Sequence, residues 1–283
     1  MSRGPRRLEV SRGQDAGGGW SQVTRQVPAA LEGGLRQWTG WAEDTEALRQ
    51  RREPGAETLL LMLQVGDPLT IGGQALGSFV APPSATWSDT SARGHGEGVH
   101  LDVHPLLARR LLAVPLVELD ARARDVADLD QPWLVRLTEE VGATSDWSQR
   151  LDLVEAALLA RLAATSQPAG GRRLAQAFRM LDAGVGVQAT CEAVGGSRRH
   201  LHRTMTTELG LTPSQVRRLG RFRRTRRILT TTTTDLAQVA AVTGWADQSH
   251  LHREVRALAG CTPAQLRAHV PSVQDSGVTS VPA

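Results

Sequence analysis

The side chains in this sequence best suited to chemistry are hydrogen-bond donors and acceptors, and they come in two matched sets. Arg199, His202 and Arg203 lie in and beside His200-Leu201-His202-Arg203. Gln248, Ser249, His252 and Arg253 lie in and beside His250-Leu251-His252-Arg253, fifty positions later. A guanidinium can meet guanine O6 and N7 together, and a carboxamide can meet adenine N6 and N7, so these residue types suit base edges. Ser197 and Asp247 precede the two sets, where a helix would start. The free N–H groups of such a start also suit phosphate.

The repeat extends beyond these residues. Gly210-Leu211-Thr212-Pro213 returns as Gly260-Cys261-Thr262-Pro263, followed by Ser214-Gln215-Val216-Arg217 and Ala264-Gln265-Leu266-Arg267. Self-similarity at a fixed period marks a duplicated unit, and two copies are too few for a solenoid. In the second copy Asp235, with Gln238 three residues on, reads as a capping-box-like start. Leu236, Val239, Ala240 and Thr243 then keep helical spacing to a C-capping Gly244. A second helix starts near Asp247 and carries Leu251, Val255 and Leu258. The first copy matches with Val187, Thr190, Cys191 and Val194, then Gly195, then a helix from Ser197 carrying Leu201 and Met205. Helix, short glycine turn, helix is the helix-turn-helix plan. With Leu201 and Leu251 facing inward, the two donor sets face outward.

Between the copies, residues 213–230 predict one helix of roughly 25 Å at 1.5 Å per residue. It is studded with arginine, and Arg221 and Arg224 are expected to meet phosphate. A spacer of that length could set two recognition helices about one DNA turn apart, near 34 Å.

Charge follows the same division. All 33 basic residues are arginine: residues 1–171 hold 17 of them against 22 acidic residues, net −5, and residues 172–283 hold 16 against 7, net +9. A basic half beside a mildly acidic one suits a polyanion-binding part joined to a sensing part. Two cysteines, Cys191 and Cys261, give no disulfide framework and fit a reducing cytoplasm. The longest apolar run, residues 59–65, is too short for a membrane span. Catalytic motifs are missing: no phosphate-cradling glycine loop, no G-x-S-x-G and no evident pair of acids, so neither an enzyme nor a cofactor is expected.

An α+β chain is expected, with a small N-terminal β-structure and helices followed by an all-α C-terminal domain. Residues 1–36, glycine-rich and arginine-rich, read as a flexible tail, and 38–52 as a polar, charged stretch. Residues 58–65, 75–80 and 98–103 read as strands. From Pro105 to Leu162 the spacing is helical. The expected domains are 37–165 and 172–270, joined by a linker at 166–171 and followed by a flexible tail at 271–283.

The run Asp235-Leu236-Ala237-Gln238-Val239-Ala240-Ala241-Val242-Thr243-Gly244-Trp245-Ala246-Asp247-Gln248-Ser249-His250-Leu251, with residues 260–267, resembles the DNA-binding region of the AraC/XylS family of bacterial transcription regulators. The resemblance covers about 172–270. It implies a bilobed seven-helix domain that inserts residues 198–206 and 248–256 into successive major grooves of double-stranded DNA. Met205 and Val255 stand where the family usually has Phe, Val216 where it has an aromatic, and Gly220 interrupts the spacer helix. Residues 52–54, 59–67, 78–80 and 98–112 resemble a domain that precedes this region in many such regulators. That likeness implies a cupin-like β-structure with a sensing or dimerising role and supplies no ligand. Two roles stay open for this half: a small-molecule effector pocket within 55–165, or a module that only forms a homodimer or recruits RNA polymerase.

Other polar clusters read as ordinary structure. His100, Asp102 and His104 alternate and could share a metal, but Val99, Leu101 and Val103 alternate too, which makes the polar trio a wet strand face. Trp38, Trp41, Trp87 and Trp133 read as packing before pocket lining, and residues 230–234 as a helix end and cap.

Overall fold

The computed structural model describes residues 8–15, 18–167 and 170–268; the tail expected at 271–283 lies outside them. The N-terminal half is built on antiparallel strands β1 (Leu8–Asp15), β2 (Gly18–Arg25), β3 (Leu35–Glu53), β4 (Leu59–Gly66), β5 (Leu69–Ile71), β6 (Gln74–Leu76), β7 (Phe79–Ala81), β8 (Ser88–Val103) and β9 (Arg124–Asp125). Their order is β1-β2-β3-β8-β4-β7-β9, with β5 joining β6 to β8. Helices α1 (Pro105–Leu112), α2 (Pro132–Gly142) and α3 (Trp147–Ala164) complete this half. Leu59, Leu61 and Leu63 of β4 and Val99, Leu101 and Val103 of β8 pack against Leu111, Leu134, Leu137, Leu151, Val154 and Leu158. Each such side chain contributes about 1.5–3 kcal/mol through burial. A smaller cluster of Trp41, Met62, Leu69, Leu76 and Phe79 lies apart from this core.

Three expectations fail in this half. Residues 8–15 and 18–31 are no tail: β2 pairs with β3, Val23 and Leu31 are buried, and Arg25 reaches Asp152 at 2.5 Å and Glu155 at 3.2 Å on α3. The polar stretch 38–52 belongs to a long strand whose residues 39–45 pair with both β2 and β8 and whose residues 49–52 pair with β8. Backbone pairing supports it where the side-chain pattern gave no hint. The expected strand at 75–80 is two strands broken at Gly77 and Ser78.

Among the described residues the C-terminal half forms seven helices, α4 (Gly171–Asp182), α5 (Val187–Val194), α6 (Arg198–Leu209), α7 (Pro213–Thr231), α8 (Leu236–Thr243), α9 (Gln248–Ala259) and α10 (Pro263–Ala268). Its core joins Phe178, Leu181, Leu201, Met205, Val216, Leu219, Phe222, Val239, Trp245, Leu251, Val255 and Leu258. Met205, Val216 and Val255 are each fully buried, so smaller side chains fill the expected aromatic positions. Gly220 does not interrupt α7. An added Cβ there would stand 2.6 Å from both the carbonyl and a carboxylate oxygen of Asp182, so glycine lets α4 and α7 meet.

Candidate nucleic-acid interface

Each unit begins with a short helix ended by glycine at positive φ: α5 by Gly195 (68°) and α8 by Gly244 (79°). A side chain with Cβ adopts this backbone only with strain, so the two turns are written into the sequence. The next helix is then capped. Ser197 accepts the His200 N–H at 3.1 Å to open α6, and Asp247 accepts the His250 N–H at 2.6 Å to open α9. Both cap side chains are thereby engaged at the helix start. Asp235 caps α8 through Ala237 N–H at 2.9 Å, so the capping box expected with Gln238 is replaced by a simple cap. A reciprocal box forms at Thr212 and Gln215, and the repeat copies that exchange at Thr262 and Gln265.

Leu201 and Met205 anchor α6, and Leu251, Val255 and Leu258 anchor α9. The opposite faces carry the donors. Ser197, Arg199, His202 and Arg203 are exposed in the first unit; Asp247, Gln248, Ser249 and Arg253 are exposed in the second, with His252 half-buried. Arg256 is also exposed, one turn beyond His252 and Arg253. The sequence reading passed over it although its spacing was visible. Arg173 on α4 escaped notice as well: it donates to the carbonyls of Val194 at 2.7 Å and Gly195 at 2.5 Å, closing the end of α5. That contact joins residues more than twenty positions apart and left no local signal.

The spacer helix forms, and its arginines make contacts within the protein. Arg221 lies 4.7 Å over the Trp245 ring, and Arg224 donates to the Asp182 carbonyl at 2.7 Å. Burial first, then Arg217 and Arg224, hold Arg221 below the usual arginine range against the pull of Glu254. Arg217 donates to the Gly184 carbonyl at 3.3 Å, and Arg218 to Glu254 at 2.5 Å. Arg223 bonds Asp182 at 2.8 Å and also pairs with Glu57 of the N-terminal half. Burial, with Arg36, Arg224 and Arg227, lowers its pKa to about 9. These arginines brace the two lobes around α7, and Arg221 and Arg224, expected to meet phosphate, are each engaged with protein groups.

The other face of the N-terminal sheet meets α7 around a cavity of about 250 Å³. Leu60, Met62 and Phe79 supply apolar lining; His100, Glu57 and Arg223 supply polar lining. His100 is only 5% exposed and lies 3.3 Å from Asp102, while its Nδ1 has no partner among the described residues. The polar trio is therefore no wet face. His104, its third member, caps α1 by accepting the Leu106 N–H at 3.3 Å and stacks edge-on against Phe178 of α4. Burial first, then Arg36, push the His104 pKa down to about 4. Of the four tryptophans, Trp38 and Trp41 are core residues.

The sequence profile of a helix-turn-helix domain family matches residues 190–269. No curated protein matches the chain. Among solved structures, a transcriptional regulator with an AraC-type DNA-binding domain from Chromobacterium violaceum is similar at 27% identity. The match covers 36% of this chain and 95% of that one, with a TM-score of 0.33. ToxT from Vibrio cholerae, solved with an unsaturated fatty acid bound, is 7% identical over 91% of this chain and 100% of its own, with a TM-score of 0.47. The AraC-like transcriptional activator CuxR is 13% identical over 85% of this chain and 91% of that one, with a TM-score of 0.31.

Proposed function

We propose, from the premise that residues 190–269 form an AraC-type helix-turn-helix domain, that this DNA-binding regulator reads two successive major grooves with α6 and α9. The observation carrying this reading is the duplicated presentation: two capped helices, buried on one face, each opposing exposed donors to solvent. Arg199, His202 and Arg203 would contact one half of the operator. Gln248, Ser249, His252, Arg253 and the added Arg256 would contact the other. Affinity should fall with salt at a log–log slope of about −0.9 per phosphate neutralised. Selection of duplexes from a random pool by the full chain tests the proposal. Recovery of no preferred sequence in moderate salt would end it.

The cavity supports an effector reading of the N-terminal half. A small molecule with an apolar body and a polar end would satisfy His100 Nδ1 while its body met Met62 and Phe79. Because Arg223 of α7 also lines the cavity, occupancy would bear directly on the spacer. ToxT was solved with a fatty acid, which makes carboxylic acids reasonable first probes. Their ability to raise the melting temperature of the full chain, and the loss of that rise in Met62→Trp, is the measurement. A chain that dimerises or engages RNA polymerase without any such response would fit the ligand-independent alternative. No helix among the described residues is long and apolar enough to cross a membrane.

A further inference from the structure

We infer that the N-terminal half acts as a caliper across both recognition helices, and that Arg109 and Arg52 are positioning residues that set the DNA half-site spacing the protein accepts. The inference rests on the DNA-binding reading above. It concerns where the two halves touch.

The last turn of α6 is held by Arg109 of α1, whose Nε donates to Glu208 at 2.6 Å; both side chains are largely covered. The last turn of α9 is held at its carbonyls. Gly55 N–H donates to Leu258 O at 2.8 Å, and Arg52 Nη1 donates to Gly260 O at 2.7 Å. Arg52 stacks 5.0 Å over Trp87, and Trp87 lies so close to Gly260 that a Cβ there would stand 2.7 Å from the ring. Cationic donors at helix carbonyl ends also complement the macrodipole. All these contacts fall at the C-terminal ends of α6 and α9. The exposed donors begin at the opposite, capped ends, at Ser197 and Asp247. The grip therefore leaves the donors at 199–203 and 248–253 clear, and Arg256, in the gripped turn of α9, still faces solvent.

The two anchors belong to one stiff frame. Arg52 sits on β3, which pairs with β8 over residues 37–45 and, past an irregularity at 46–48, again over 49–53, Arg52 itself opposite Asp89. Strand β8 runs through the His104 cap into α1, which carries Arg109. Within the C-terminal half, α6 and α9 each pack on α7. Two bodies joined through one helix keep freedom to bend and twist about it. A second member spanning both removes that freedom. One base pair of misplacement is about 3.4 Å along the duplex and roughly 35° around it, so a braced pair of helices should reject it and an unbraced pair should absorb it.

The test uses the full chain and the duplex it selects from a random pool, together with derivatives one base pair longer or shorter between the two contacted segments. Wild type should lose at least about tenfold in affinity for either derivative. The Arg52→Ala, Arg109→Ala double variant should bind the selected duplex within about threefold of wild type, with an unchanged salt slope, and lose no more than about threefold on the derivatives. Arg109→Lys in place of Arg109→Ala should recover part of the discrimination through Glu208. If the double variant does not fold, Glu208→Gln alone carries the comparison. Full discrimination in a folded variant, or a wild type indifferent to spacing, overturns the caliper and leaves DNA binding intact. Selection of no duplex by wild type overturns both.

Discussion

The indole Nε1 of Trp245 donates to the hydroxyl of Thr225 at 2.9 Å, tying the turn of the second helix-turn-helix unit to the middle of the spacer helix. Thr225 is fully buried and Trp245 is 5% exposed, and Arg221 covers the other side of the ring. Replacing Thr225 by Val keeps the shape and removes the acceptor. An unsatisfied buried donor costs about 1–3 kcal/mol, so Thr225→Val should lower the melting temperature by several degrees. A melting temperature equal to wild type would show that the indole N–H finds another partner.

Gly220→Ala sets two effects against each other. Alanine favours a helix over glycine by about 1 kcal/mol. The new Cβ would meet Asp182 at 2.6 Å, and overpacking of this kind typically costs 1–3 kcal/mol. Because α4 would have to move away from α7, the loss should prevail, and denaturant midpoints should fall. A rise would mean that the contact relaxes without cost.

Arg203→Ala and Arg253→Ala should each weaken binding to the selected duplex by about 1–3 kcal/mol and relax preference at one base pair, in different halves of the site. Competition binding against single-base variants gives the answer. A uniform loss across all variants would instead assign these arginines to phosphate.

Stability should decline as pH falls from about 6.5 toward 4. His104 titrates at about 4 when folded, against an ordinary value of 6.5, because burial and Arg36 disfavour its charged form. The unfolded chain therefore binds the proton first, and the stabilisation, complete above about 6.5, is lost as pH drops through the folded value. Its size is on the order of 3 kcal/mol. Replacing His104 by Gln should flatten that part of the pH–stability curve; an unchanged slope would place its origin elsewhere.

Much of the candidate site was legible because its determinants are local. Gly195 and Gly244 end helices through their own backbone freedom, Ser197 and Asp247 cap through residues three positions on, and Leu201 and Leu251 fix which face turns inward. The repeat made each inference twice. The doubled Thr-Pro-x-Gln boxes were equally local, visible at 212–215 and 262–265, and went unread.

Long-range partners were not legible. Residues 18–25 offer little more than Val23 and a buried arginine, so nothing nearby distinguishes a strand from a tail until β3 and α3 supply the other half of its bonds. The arginines of 217–227 look alike in sequence, yet Arg221 stacks on an indole, Arg224 meets a helix-end carbonyl and Arg223 joins the two halves. Sequence by itself determined the turns, the caps and the paired helix-turn-helix units, since each depends on residues within a few positions. Only the tertiary structure decided what the spacer's charges hold and how the N-terminal half grips both helices, because electrostatic and hydrogen-bond partners are chosen by proximity in space, which the order of residues does not encode.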